Sequence, residues 1–253
     1  MVEINQNLLH LAASFINNLF QNSKSPQLDT SGFSNLISTD ITMSTPFFEG
    51  SGKTLIEVSS WLSAKTRSLE ILSLLPATDG KLLFAEVLTD LMPYALALEF
   101  ESQKIKAVRI YHSSWPVEGK HRVRKPFFEP TVRASVPTEI SRYSLALAGG
   151  KTAITETLFS ERSSVREPSG RKSGPGFPFS LKHFYDQAFR NGGIKLMYHT
   201  FAQVGAQAAA EYTVTHWGRN ELTPQPGIEF WDLGPQGKFL AVRIYDDIEQ
   251  PPT

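Results

Sequence analysis

Not one of the 253 residues is cysteine. That excludes disulfides, thiolate metal ligands and a cysteine nucleophile, and it fits the reducing cytoplasm, the expected location. Neither sign of charge is in excess, with 25 Lys and Arg against 25 Asp and Glu. No global field therefore draws the chain to nucleic acid or to an anionic membrane, and neither is expected as a partner. No apolar run approaches the ~18 residues of a membrane span. The opening stretch MVEINQNLLHLAASFINNLF lacks a basic leader and a small-residue cleavage site, so it is not expected to be a signal peptide. Its Leu8, Leu11, Phe15 and Leu19 recur at helical spacing beside Asn7, Ser14, Asn17 and Asn18, the pattern of an amphipathic surface helix. GSGKT (Gly50–Thr54) ends like a phosphate-binding loop, but Phe47 stands where that loop needs its first glycine, which excludes the motif. His199 and His216 fall on adjacent predicted strands without a third ligand at recognisable spacing. Strand histidines satisfied by hydrogen bonds are expected there, and no metal or other cofactor is implied.

What the chain does contain is a repeat. AVRIY occurs at Ala107–Tyr111 and again at Ala241–Tyr245, 134 residues apart. Each copy closes a strand-like run that starts at a lysine, Lys104 or Lys238. Further back, KLLFAEVLTD (Lys81–Asp90) lies over AQAAAEYTVTHW (Ala206–Trp217), and STPFFEG (Ser44–Gly50) over REPSG (Arg166–Gly170). Helical stretches follow the latter pair at Lys53–Leu62 and Ser180–Phe189, the second with a serine cap at Ser180 and Gly192–Gly193 beyond its end. Each half thus reads as helix, helix, short strand, helix and then three or four long strands. Between them, PVEGKHRVRKPFFEPTVRASVP (Pro116–Pro137) holds four prolines and a basic cluster, the composition of an extended linker. The expectation is two tandem α+β domains at 1–116 and 137–253, joined by a linker at 117–136.

This order of elements and the local text resemble the nuclear-transport-factor-2-like superfamily, in particular its SnoaL-like and ketosteroid-isomerase-like branches. The resemblance covers Ser141–Asp247 element by element and the first half more weakly. It implies two cone-shaped domains, each a curved antiparallel sheet wrapped around helices and enclosing an apolar pocket. SRYSLALAGGK (Ser141–Lys151) resembles the first helix and turn of ketosteroid isomerases and puts Tyr143 at a catalytic tyrosine. VREPSG (Val165–Gly170) resembles that family's carboxylate-Pro-x-Gly strand, 24 residues beyond Tyr143, and puts Glu167 at the general base. KHFYDQAFRNGGIKL (Lys182–Leu196) puts Tyr185 at a tyrosine supporting the oxyanion hole, while Phe159 replaces a second one. Glu229, in PGIEFWDL, falls at the family's protonated acid. Both acids are glutamates where the family has aspartates, an added methylene that moves each carboxyl by about 1 Å, enough to cost roughly 100-fold in rate.

The types fit the chemistry. Removing a proton next to a carbonyl needs a carboxylate base, and donors aimed at the oxygen where charge develops, in a site that excludes water. A carboxyl donates near pH 7 only where apolar neighbours raise its pKa, and Glu229 sits among Ile228, Phe230 and Trp231. Alternation in YTVTHWG places Tyr212, Val214 and His216 on one face. The family pattern turns Val242, Ile244 and Asp246 inward and leaves Arg243 and Tyr245 on the outer face, where relatives pair. The expected pocket wall is therefore Tyr185, Phe159, Tyr212, His216, Trp231, Val242, Ile244 and Asp246. Arg109 and Tyr111 would offer the first copy's matching outer surface, giving an internal pseudo-dimer that is compatible with a monomer. The first copy has Thr45 in the place of Glu167, Ala and Leu in PYALALEFE (Pro93–Glu101) near the counterpart of Glu229, and Phe15 where a tyrosine is expected. Any activity is therefore expected in the second copy: an isomerase, cyclase or lyase acting on a small, largely apolar carbonyl-containing metabolite. A non-catalytic binding or interaction module is the other class open at this stage.

Overall fold

In the computed structural model, residues 6–21, 31–51, 53–218 and 220–249 are described. The chain divides into two units, Met1–His112 and Ser113–Thr253. The first unit runs α1 (Gln6–Gln21), α2 (Ser31–Ser34), β1 (Ile37–Ser44), β2 (Glu49–Ser51), α3 (Lys53–Lys65), β3 (Leu69–Pro76), β4 (Leu82–Thr89), β5 (Pro93–Glu101) and β6 (Lys104–Tyr111). The second begins with a single turn, α4 (Trp115–Glu118). It then repeats the pattern as α5 (Thr138–Gly149), α6 (Thr152–Glu156), β7 (Phe159–Arg166), β8 (Lys172–Ser173), α7 (Leu181–Ala188), β9 (Ile194–Val204), β10 (Gln207–Trp217), β11 (Asn220–Leu233) and β12 (Phe239–Tyr245). The expected order holds in both copies, with four long strands in each. Among the described residues no helix is long and apolar enough to cross a membrane.

Each unit builds one six-stranded sheet, in the order β2-β1-β6-β5-β4-β3 and β8-β7-β12-β11-β10-β9. These sheets are not wholly antiparallel, as the sequence led us to expect. β1 runs parallel to β6 and β7 parallel to β12, because a helix and four strands intervene and return the chain along the sheet in its first direction. Register makes the two copies comparable residue by residue. Ser44 pairs with Arg109 and Arg166 with Arg243, so Thr45 and Glu167 occupy the same place. Leu96 pairs with Ile110 and Glu229 with Ile244, which makes Leu96 the counterpart of Glu229. Continuing across the sheet, Val87 answers Tyr212 and Ile71 answers Tyr198. Both copies carry a β-bulge at that last pairing.

Packing follows from amphipathic faces. The α1 stripe of Leu8, Leu11, Phe15 and Leu19 is buried, as its spacing predicts. In the second unit Ile140, Tyr143 and Leu147 of α5 pack with Val165, Tyr198, Trp231, Phe239 and Val242 of the sheet in one core, each large side chain contributing roughly 1.5–3 kcal/mol. The stretch expected to be a linker is instead part of the second unit. The Ala134 amide donates to Tyr198 O at 2.9 Å, and the Asp247 carboxylate accepts the Arg122 amide at 2.9 Å. Its prolines do keep it free of helix or strand from Gly119 to Pro137, but an extended chain can still bond laterally through its remaining amides and side chains.

Candidate active site

Burial of alternate residues on β9–β12 against α5 and α7 leaves a cavity of about 510 Å³ in the second unit. Its floor and walls come from Tyr143 and Leu147 of α5, Phe184 and Tyr185 of α7, Tyr212 and Val214 of β10, and Ile244 of β12. Three hydroxyl couples are built into these walls. Tyr143 and Tyr185 share a hydrogen bond at 3.1 Å, Tyr198 donates to Glu229 Oε2 at 3.1 Å, and Tyr212 donates to Asp246 Oδ2 at 2.6 Å. The Tyr212 ring lies directly over its cross-strand partner Gly227, where a Cβ would come within 2.3 Å of the ring. Any other residue at Gly227 would push Tyr212 off Asp246.

Burial governs the charges. It raises the Glu229 carboxyl to about 8, against the pull of the Tyr198 hydroxyl and with a further push from Asp246. It also raises Asp246, to about 6, while the Tyr212 hydroxyl and the Ile248 amide hold that value down. Tyr143, Tyr185, Tyr198 and Tyr212 are all raised well above the ordinary tyrosine value, chiefly by burial, and stay neutral donors. Glu229 on β11 faces Ile244 on β12, and Asp246 lies two residues beyond Ile244. The two carboxyls are thus diagonal neighbours on one face.

The cavity brings together Tyr143, Glu167, Glu229, Tyr185, Tyr212, Ile244 and Asp246. Glu167 lies at its mouth on the turn after β7, half-buried, with both carboxylate oxygens held by the Arg171 guanidinium at 2.8 and 3.0 Å. Four other expected residues do not line it. Phe159 packs edge-on to Tyr143 with ring centroids 6.1 Å apart, and Val242 is fully buried in the same core. Trp231 is two residues deeper on β11 than Glu229 and packs edge-on against Tyr198 at 5.7 Å. His216 departs for a different reason: a register shift between Val214 and His216 breaks the alternation, so Trp217 reaches the cavity in its place. His199 has both ring nitrogens occupied, by Val132 O at 2.6 Å and Thr213 Oγ1 at 2.8 Å, the satisfied strand histidine that the sequence suggested. Among the described residues no cluster of three metal-ligating side chains occurs.

Sequence reasoning missed His121, which sits in the supposed linker yet lines the mouth of the cavity beside Trp115. Its Nδ1 lies 3.0 Å from Asp247 Oδ1, and the Trp115 indole stacks on its ring at 5.3 Å. Asp247 also accepts from the amides of Ser114 and Arg122 and from the hydroxyls of Ser113 and Ser114. The adjacent acids at 246 and 247 were a signal that two faces were each claiming a carboxylate, but nothing local pointed 126 residues back to His121.

No family model matches the chain, and no curated protein matches it. Solved structures do resemble it. One is a putative polyketide cyclase from Sinorhizobium meliloti, 14% identical over 46% of this chain and 99% of that one, with a TM-score of 0.36. An NTF2-like protein of unknown function from Exiguobacterium is 19% identical over 44% of this chain and all of that one, with a TM-score of 0.35. A hypothetical protein with a ketosteroid-isomerase-like fold from Catenulispora acidiphila, in complex with trimethylamine, is 12% identical over 45% of this chain and 88% of that one, with a TM-score of 0.36. Each covers somewhat less than half of the chain, and the likeness is one of fold.

Proposed function

We propose that this chain, two tandem nuclear-transport-factor-2-like domains, is an acid–base enzyme whose second domain moves a proton next to the carbonyl of a small, largely apolar metabolite. One observation carries the reading: two carboxyls in one apolar cavity, with pKa values of about 8 for Glu229 and about 6 for Asp246. Near pH 7 the first is mostly protonated and the second mostly ionised, so the cavity offers an acid and a base side by side. Asp246 takes the proton from the carbon next to the carbonyl, breaking the C–H bond as the enolate forms. The developing oxyanion accepts from the protonated Glu229, whose Oε2 is engaged by Tyr198 and whose Oε1 carries the proton, and from the Tyr143 hydroxyl held by Tyr185. Return of the proton from Asp246 to a second carbon gives an isomer; attack of the enolate on a second carbonyl gives a ring, its alkoxide taking the proton back from Asp246. Glu167 is the base implied by the family resemblance, but it lies at the mouth with both oxygens in an ion pair to Arg171, whereas Asp246 accepts only from the neutral Tyr212 hydroxyl and the Ile248 amide. We therefore give the base role to Asp246 and assign Glu167 with Arg171 to framing the mouth.

Benzylacetone, a small apolar ketone, tests this reading. Incubated with the protein in D2O, it should gain deuterium next to its carbonyl, followed by NMR, and Asp246→Asn should slow this by about 100-fold or more. Binding of the ketone with no exchange would sink the catalytic reading in favour of a small-molecule-binding module.

A further inference from the structure

Alternation past the end of β12 sends Asp246 into the cavity and Asp247 away from it. On that far side the segment from Ser113 to Arg122 wraps the Asp247 carboxylate with two amides, two hydroxyls and the His121 ring. A carboxylate so fully supplied with donors stays ionised: burial alone would raise it, but the bonds from His121, Ser114 and Arg122 outweigh burial and hold it below the usual range. His121 therefore donates from Nδ1, which fixes the ring, and Trp115 stacked on its face limits rotation further. Nε2, on the opposite side of the imidazole, has no protein partner among the described residues, and the residue lines the cavity mouth. An imidazole held at one nitrogen by a buried carboxylate and left open at the other is the arrangement that lets histidine give and take protons at a reacting atom.

We propose that His121 is a second acid–base residue of this cavity, positioned by Asp247 and serving an oxygen function at the mouth end of the ligand. The substrate class that uses both ends is a β-hydroxy carbonyl compound, and the reaction is reversible loss of water. This rests on the assignment of Asp246 as base. Asp246 takes the hydrogen between the two functions, and the C–H electron pair becomes the carbon–carbon double bond. The C–O bond breaks, its electron pair stays on oxygen, and His121 Nε2 supplies the proton that turns the leaving hydroxide into water. Asp246 ends protonated and His121 neutral, so both reset by exchange with solvent and no oxidant or reductant is needed.

The Asp247 bond holds the His121 pKa above its ordinary value, with smaller pushes from Asp246 and Glu249. Of the other charged groups nearby, Glu118 and Arg122 neutralise one another on its own segment beside Lys120. Across the mouth Glu167 is paired with Arg171, and Arg190 stands alongside. The bond to Asp247 thus favours the proton-donor form, which is lost as pH rises through the elevated value.

Two rates on the full chain test the proposal: deuterium exchange into benzylacetone, and dehydration of the aldol of benzaldehyde and acetone, read by ultraviolet absorbance of the conjugated product. His121→Gln should lower dehydration by about 100-fold and exchange by far less, so that their ratio falls at least tenfold; retained exchange also shows an intact cavity. Asp247→Asn should move the basic limb of the dehydration pH profile to lower pH, a shift that a merely structural partner would not produce. Exchange without dehydration in the unchanged chain overturns the proposal and spares the base at Asp246. Dehydration that survives His121→Gln, or falls in step with exchange, also overturns it. Absence of both rates overturns the Asp246 assignment and this one with it.

Discussion

At five of the positions that carry polar groups in the second domain's cavity or beside it, Glu167, Tyr198, Tyr212, Glu229 and Asp246, the first domain holds Thr45, Ile71, Val87, Leu96 and His112. Strand order is the same, the parallel pairing is the same, and the bulge falls at the same place. The framework therefore does not depend on those polar groups. Thr45 spends its hydroxyl on its own turn, accepting from the amides of Phe47 and Phe48 at 3.0 Å each. His112 is buried among the rings of Phe47, Trp61 and Tyr94. Burying carboxyls and hydroxyls costs stability unless each finds a partner. The first copy, apolar at three of these positions, avoids that cost, and in the second the Tyr198 and Tyr212 hydroxyls partner the two buried carboxyls.

The largest effect should come from making the domains alike. Glu229→Leu writes the first domain's residue into the second, and ketone exchange should fall by about 100- to 1000-fold with the fold retained; a rate near that of the unchanged chain would remove Glu229 from the mechanism. The reverse change, Leu96→Glu, places a carboxyl where Ile71 and Val87 offer no hydroxyl. It should destabilise the protein by roughly 3–5 kcal/mol at pH 8, measured by urea denaturation, and a loss under 1 kcal/mol would mean that site is wet.

Between those extremes lies a pH signature. Glu229 binds its proton more tightly when folded, its value rising from 4.5 to about 8. Its contribution to stability is complete below about pH 4.5 and is lost as pH rises through about 8. Relative to the Glu229→Gln variant, the unchanged protein should lose roughly 3–5 kcal/mol between those limits; parallel stability curves would show that the carboxyl is not buried neutral. Smaller again, Glu167→Gln should reduce ketone exchange by less than about tenfold, because it removes a rim ion pair rather than a base. A fall of 100-fold or more would hand the base role back to Glu167. Thr45→Ala should cost about 1 kcal/mol, from its two turn bonds, and leave exchange in the second domain as it was.

Much was legible before any coordinates. The AVRIY repeat, the alternating strands, the Ser180 cap and the two-copy order all depend on short-range periodicity and turn chemistry, which a chain displays along its own length. Glu229 could be picked out because the family resemblance puts the protonated acid there and apolar neighbours suit that role, and Thr45 because the duplication supplies a ruler. Tertiary structure alone decided the rest. A bulge replaced His216 with Trp217, four residues beyond Glu167 an arginine closed on both carboxylate oxygens, and Asp246 came to lie diagonally beside Glu229, just past the end of the adjacent strand. His121 met Asp247 only because a proline-rich segment, extended in the text, bonds sideways into the sheet's end. Alternation and caps are set by neighbours a few residues apart, whereas burial, register shifts and the partner of a charge are set by residues that only the folded chain brings together.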